Sequence, residues 1–319
     1  MKLFKNKVGR PTNEIKNKRK TFIISIVISI ILLIGITFFC VHNLIINKTN
    51  SNKLKGSSFL YYYSQDDSNW SDRTYCDSTG YNGTIKQTYG GNACGPTAMA
   101  MVVSNLKNKK ITPVTIGEEV KKTKYCSNKW YGTKIEFIPY IANKYNLYYE
   151  RFTKDQSGTN GARAVLKQGG YVIAYMKKSP MANSLHYVVI YSIDNNDQVM
   201  VANPKSSNFP SKQGPYKLSD FNNKDWIGPG WYGVSNKKCP SYIKCPSKVK
   251  HGKEFTCVTD TPGATIGVSK VGLAKGYNKK FITKYSDMTK QTKYNSVGMK
   301  KIAVSKKGCK TKIKKVKVY

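Results

Sequence analysis

Residues 21–41, TFIISIVISIILLIGITFFCV, form an apolar run that no charged residue interrupts. Its length matches the roughly 20 residues a helix needs to cross a bilayer. Ahead of it stand Lys2, Lys5, Lys7, Arg10, Lys16, Lys18, Arg19 and Lys20, with Glu14 as the sole acid. Positive charge of this kind keeps the flanking segment on the cytoplasmic side. The expectation is a basic cytoplasmic tail over 1–20, a single transmembrane helix over 21–42, and everything after it outside the cell. A cleaved signal peptide fits less well, because its apolar core is shorter, roughly 7–15 residues, and ends on small residues. This run ends Phe38-Phe39-Cys40-Val41-His42-Asn43. Residues 43–58 are polar and rich in Lys, Asn and Ser, and read as a linker.

The 319 residues suffice for one large and one small domain behind that anchor. A formal net charge of +37 implies an anionic partner or surface. Eight cysteines are too few for a disulfide-built scaffold. Outside the cell they can still pair, and Cys76 with Cys126 is the expected bridge of the large domain.

That large domain spans 59–236. Its organising stretch is Ala93-Cys94-Gly95-Pro96-Thr97-Ala98-Met99-Ala100-Met101-Val102. Pro suits the first turn of a helix, where its missing N–H costs nothing. Ala98, Met101, Val102 and Leu106 fall at helical spacing and predict one buried face. Cys94 then opens the helix, where free N–H groups and the helix dipole favour an anion and lower a thiol pKa. The alternative is an ordinary buried cysteine opening a core helix. Before this stretch, Phe59–Gln65 reads as a strand running into a long polar loop over 66–91. After it, short helices are expected near 112–120, 133–145 and 161–168, and then strands at 171–176, 185–193, 198–204 and 226–234. Helices first and a meander of strands afterwards predict an α+β layout.

A cysteine nucleophile needs an imidazole base. Of three histidines, His42 lies at the membrane edge and His251 in the C-terminal segment, which leaves His186 at the start of an apolar strand. A structural strand histidine is the alternative. Asn203 closes the next strand, which returns antiparallel and brings it near His186, where it can orient the ring. Asn203-Pro204 is otherwise a strand-ending turn. Asp194 is a rival orienter, but it sits at the far end of the His186 strand. A developing oxyanion needs donors. The Cys94 backbone N–H is one. Gln65 is the best side-chain candidate, with a solvent-facing amide as its alternative reading.

Together, Tyr62-Tyr63-Ser64-Gln65-Asp66-Asp67-Ser68-Asn69-Trp70, the Cys94 stretch, His186-Tyr187-Val188-Val189-Ile190 and Val201-Ala202-Asn203-Pro204 resemble the papain-like cysteine peptidases of the bacteriocin-processing, double-glycine type, in their non-transporter surface form. The resemblance covers roughly 59–234. It implies a papain-like domain with Cys94 as nucleophile, His186 as general base and acid, Asn203 as orienter and Gln65 as oxyanion donor. The family usually has Asp-Pro at the Asn203-Pro204 position, and the interval from Gln65 to Cys94 is long here. The implied reaction is peptide-bond hydrolysis through a thioester, on a peptide or protein substrate and without a cofactor. A non-catalytic surface scaffold, and an amidase or endopeptidase acting on peptidoglycan, are the alternatives.

Residues 239–319 lack helical patterning and show short alternating runs between turns, as in a small β-sandwich of immunoglobulin-like type. Cys257 with Cys309, and Cys239 with Cys245, are the expected bridges; the latter spacing does not suit zinc, and no metal is expected. The segment carries 20 lysines against three acids. That surplus implies an anionic cell-wall polymer, such as teichoic acid, or an anionic lipid surface. Nucleic acid is disfavoured, since no base-stacking motif accompanies the charge.

Overall fold

The computed structural model describes residues 55–56, 59–80, 83–126, 132–205, 212–223 and 225–319. The expected basic tail, the apolar run and nearly all of the linker lie outside these residues. Among the described residues, no helix is long and apolar enough to cross a membrane.

In chain order the elements of 55–236 are β1 (Lys55–Gly56), β2 (Thr74–Gly80), β3 (Gly83–Thr88), the turn-length α1 (Tyr89–Asn92), α2 (Cys94–Lys107), α3 (Pro113–Lys121), α4 (Phe137–Lys144), β4 (Leu147–Phe152), α5 (Gln156–Lys167), β5 (Tyr171–Met176), β6 (His186–Ile193), β7 (Gln198–Ala202), β8 (Lys212–Lys217) and β9 (Ile227–Asn236). The main sheet runs β4-β9-β5-β6-β7-β8, with β1 paired to the end of β6. Every pairing in it is antiparallel. The mixed helix-and-sheet expectation therefore holds, with an antiparallel sheet at the centre.

The sheet is covered on both faces. On β5 and β6, Tyr171, Ile173, Tyr187 and Val189 join α2, α3 and α4 in one apolar cluster. The alternate residues Val172, Ala174, Met176, Val188 and Ile190 join Val165 and Leu166 of α5 in another. Two buried faces explain why these strands read as continuous apolar runs. Helix α2 is the buried helix that the Cys94 stretch predicts, and it goes beyond the one buried face of its spacing. Gly95 through Ser104 are all buried, so it has no solvent face over that stretch, as expected of a helix enclosed in a core.

Three other expectations change. Phe59–Gln65 is no strand. Its backbone bonds to a side chain instead: Leu60 and Tyr61 N–H donate to Asn105 Oδ1 at 2.7 and 3.1 Å, and Asn105 Nδ2 donates to Tyr61 O at 2.8 Å. The polar loop 66–91 contains the β2–β3 hairpin, tied to the segment that follows α3 by Cys76–Cys126. The strands β4 and β8 were not expected, and both lie at sheet edges, where half-polar sequences and Pro215 are tolerated.

In 239–319 the strands are β10 (Ile243–Lys244), β11 (Lys248–Val249), β12 (Glu254–Thr259), β13 (Thr265–Val268), β14 (Lys280–Ile282), β15 (Thr289–Lys293), β16 (Gly298–Ser305) and β17 (Lys312–Val318). They form a three-stranded sheet, β10-β12-β15, and a five-stranded sheet, β11-β17-β16-β13-β14. Phe255 and Cys257 from the first and Ile266, Ile302, Val304 and Val316 from the second share one buried cluster. The bridges are Cys239–Cys309 and Cys245–Cys257, with Cα separations of 5.6 and 4.4 Å. This corrects the expected pairing. The β10–β12 ladder sets Lys244 against Val258, which brings Cys245 beside Cys257 and leaves Cys309, on the β16–β17 turn, to the incoming linker.

Tyr285 fastens this region to the large one. It is buried in the cluster of Phe152, Val165 and Trp231, and its hydroxyl donates to Ser235 Oγ at 2.6 Å. Its N–H and that of Ser286 donate to the Glu150 carboxylate at 2.5 and 3.2 Å.

Candidate active site

Cys94 begins α2, where the first N–H groups have no intrahelical acceptor. It is half-buried and is the free cysteine among the described residues. Gly95 allows the close seat: a Cβ there would lie 3.1 Å from the Tyr187 ring and 3.2 Å from Phe137. The helix start is thereby pressed onto β6, one residue past His186.

His186 opens β6 and is 8% exposed. Its Nε2 meets Asn203 Oδ1 at 2.8 Å, and its ring lies close enough to the Cys94 thiol for each to shift the other's pKa. With Nε2 committed to the amide, Nδ1 is the nitrogen left for sulfur. Asn203 follows β7 directly, because the antiparallel β6–β7 pairing sets Ala202 opposite Val189. Its own side chain is locked: Nδ2 donates to Met181 O at 3.0 Å, and Oδ1 also accepts from Lys205 N–H at 2.9 Å. The oxygen must therefore face the imidazole. Asp194 is occupied elsewhere, accepting from Asn196 and Gln198 N–H at 2.8 and 2.7 Å in the β6–β7 turn.

Burial pushes the Cys94 thiol up. The His186 hydrogen bond and charge, with the Tyr187 and Gly95 backbone, more than reverse this and hold it below the ordinary thiol value. Burial likewise pulls His186 down. The thiol's hydrogen bond and charge, aided by Asn203, carry it above the ordinary histidine value, while Lys205 opposes them. Each group thus favours the charged form of the other, which is the condition for a thiolate–imidazolium pair.

Gln65 is 1% exposed, not solvent-facing. Its backbone N–H donates to Pro204 O at 2.7 Å. Its Nε2 donates to Gly90 O at 2.5 Å, which leaves the second amide hydrogen for another acceptor. A cavity of about 170 Å³ is lined by Gln65, Cys94, His186 and Lys205, among others. The structure thus brings three of the four expected residues, Gln65, Cys94 and His186, to one cavity, and buries the fourth, Asn203, behind the His186 ring.

Lys205 is the cavity residue that sequence reasoning missed. Its Nζ donates to Asp66 Oδ1 at 3.0 Å and to Gly90 O at 2.9 Å. It ties the segment after Asn203 to the segment after Gln65. The available signal was its place two residues beyond Asn203. Among the described residues, no group of His, Cys, Asp or Glu is placed to hold a metal ion.

The model of the Peptidase_C39 like family matches residues 61–232. No curated protein matches the chain. The crystal structure of the Arg-specific cysteine proteinase gingipain R aligns with 33% of this chain at 19% identity and a TM-score of 0.21. The chain covers 25% of that structure's length, and a likeness this low carries no argument.

Proposed function

From the premise that the chain belongs to the Peptidase_C39-like family of papain-like cysteine peptidases, we propose that it is a membrane-anchored, outward-facing peptidase with a lysine-rich, immunoglobulin-like C-terminal module that binds an anionic polymer. The observation that carries the catalytic part is that Cys94 and His186 line one cavity and favour each other's charged form, with Asn203 bonded to the ring at 2.8 Å.

The Cys94 thiolate attacks the scissile carbonyl carbon. The oxyanion that forms takes hydrogen bonds from the Cys94 N–H and the free amide hydrogen of Gln65. The C–N bond breaks as His186 gives its proton to the leaving amine, leaving a thioester on Cys94. Water then adds to that thioester while His186 takes its proton. The C–S bond breaks, and the acid product and the thiolate–imidazolium pair result. Asn203 holds the ring in the plane both transfers require.

The uncharged run 21–41 behind eight basic residues supports the anchor, and two sheets around one core support the module's fold class. The test is alkylation of Cys94 by iodoacetamide across pH, paired with peptide-library hydrolysis by the detergent-solubilised chain. Labelling well below pH 8 that disappears in His186→Ala, with hydrolysis lost in Cys94→Ala, is expected. Ordinary thiol titration with no hydrolysis would leave only a papain-like shell. Release of peptides from purified peptidoglycan would identify the wall as substrate.

A further inference from the structure

A second, larger cavity of about 510 Å³ opens where residues 237–239 and the β16–β17 turn meet β4. Its walls include Tyr148, the Cys239–Cys309 bridge and four lysines, Lys237, Lys238, Lys306 and Lys307. Among the described residues, none that lines it is acidic.

Three of the four lysines are held in place without being neutralised. Lys306 is half-buried, and its Nζ donates to Lys238 O at 2.8 Å and Pro262 O at 3.1 Å. It also lies 6.0 Å from the centroid of the Tyr148 ring. Lys237 Nζ donates to Asn146 Oδ1 at 2.8 Å and Lys238 Nζ to Gln168 O at 3.1 Å. These partners are neutral oxygens. Burial, and then the charge of Lys237, pull the Lys306 pKa down, as unneutralised like charges require. Glu150 is near in sequence, and Tyr148 OH donates to it at 3.4 Å, but it is not among the lining residues, and its oxygens accept from the Tyr285 and Ser286 N–H groups.

The walls are also fixed in shape. Tyr285 fastens the two regions beside the cavity, the disulfide closes one side, and Gly263, at φ +71°, lies where a Cβ would come within 2.9 Å of Tyr148. A cavity this size exceeds what one small anion fills and falls among sites for extended ligands. The charged groups lining it are all ammonium, which binds phosphate as a point charge without the arginine fork.

We propose that this cleft is a binding site for a phosphodiester or polyphosphate chain, with Lys237, Lys238, Lys306 and Lys307 as its cationic contacts. This locates the polymer binding of the reading above and rests on that part of it, not on the peptidase chemistry.

The probe is end-labelled short-chain linear polyphosphate, titrated by fluorescence anisotropy against the detergent-solubilised full chain at physiological salt, with poly-L-glutamate as competitor. The wild-type chain should bind polyphosphate, and poly-L-glutamate of equal charge should displace it poorly. Lys237→Gln with Lys306→Gln should weaken binding about tenfold or more. Lys238→Gln with Lys307→Gln, both exposed positions, should do so without risk to folding. Lys315→Gln with Lys317→Gln removes the same charge from the exposed side of β17 and should change binding less than twofold. Equal losses from cleft and β17 pairs would overturn the site and leave diffuse charge as the binder. Equal displacement by poly-L-glutamate would overturn the phosphate assignment. No binding by the wild-type chain would remove the polymer reading itself, while peptide hydrolysis would be unaffected in every case.

Discussion

The region around the candidate active site and the C-terminal region handle charge in opposite ways. In the first, acids and bases meet: Glu118 with Lys121, Glu119 with Lys144, Asp197 with Arg163 and Asp66 with Lys205. In the second, 20 lysines face three acids, and no ion pair forms there among the described residues. Its lysines turn to carbonyls, hydroxyls and rings, as Lys290 does over Phe281 and Lys300 over Tyr294. Around Cys94 and His186, burial, the influence of each group on the other and the charge of Lys205 set protonation together. In 239–319, an uncompensated field is suited to holding an anion from outside and offers no group for acid–base work.

The largest expected effect tests the first half of that contrast. His186→Ala or Cys94→Ala should lower kcat/KM by on the order of 10⁴-fold or more, with the melting temperature little changed. In the wild-type protein the pH profile should be a broad bell. Activity rises as the thiol ionises at its lowered pKa and falls as the imidazolium loses its proton at its raised pKa, and both limbs belong to the pair as a whole. Next in size is Tyr285→Ala. It removes a buried ring that joins the two regions and should cost about 3 kcal/mol in urea unfolding, while the rate of Cys94 alkylation in the folded protein stays near that of wild type. If alkylation changes in parallel with stability, the regions are not separable in the way their charge suggests.

Asn203→Ala should lower kcat by roughly 10–100-fold. Because Asn203 helps to raise the His186 pKa, the alkaline limb should shift to lower pH. An unchanged limb would mean that Asn203 only ends a strand.

How far the sequence reached follows the same division. Cys94, His186 and Asn203 were legible because each is fixed by a nearby rule: a helix start, a strand start, and the return of the next strand. The long-range matters were not. The partners of Cys257 and Cys309 depend on which strands pair. The hairpin of 74–88 is polar and tied through a distant disulfide. The strand β15, TKQTK, contains no apolar residue, yet Thr292 and Lys290 are buried there, because a methyl group and an aliphatic stem fill the space. Phe59–Gln65 has a strand's composition but reaches its neighbours through Asn105, so pattern alone misassigns it.

Lys205 gives the smallest effect and the finest distinction. It and Asn203 are two residues apart and both reach the His186 environment, but with opposite sign: Asn203 raises the His186 pKa and the Lys205 charge lowers it. Lys205→Met keeps the stem and removes the charge. The alkaline limb should then move slightly upward, opposite to Asn203→Ala. The substitution also releases Asp66 and one of the two donors on Gly90 O. The Gln65 segment would then be held to the Asn203 segment by the Gln65 N–H to Pro204 O bond and by the Tyr62 hydroxyl, which donates to Asn203 O at 2.7 Å. A loss of kcat of about threefold, with KM nearly constant, would fit a positioning residue whose half-buried ion pair ties the two segments together. A rise in KM confined to acidic substrates would instead make Lys205 a substrate contact, and a downward shift of the limb would reverse the sign assigned to its charge.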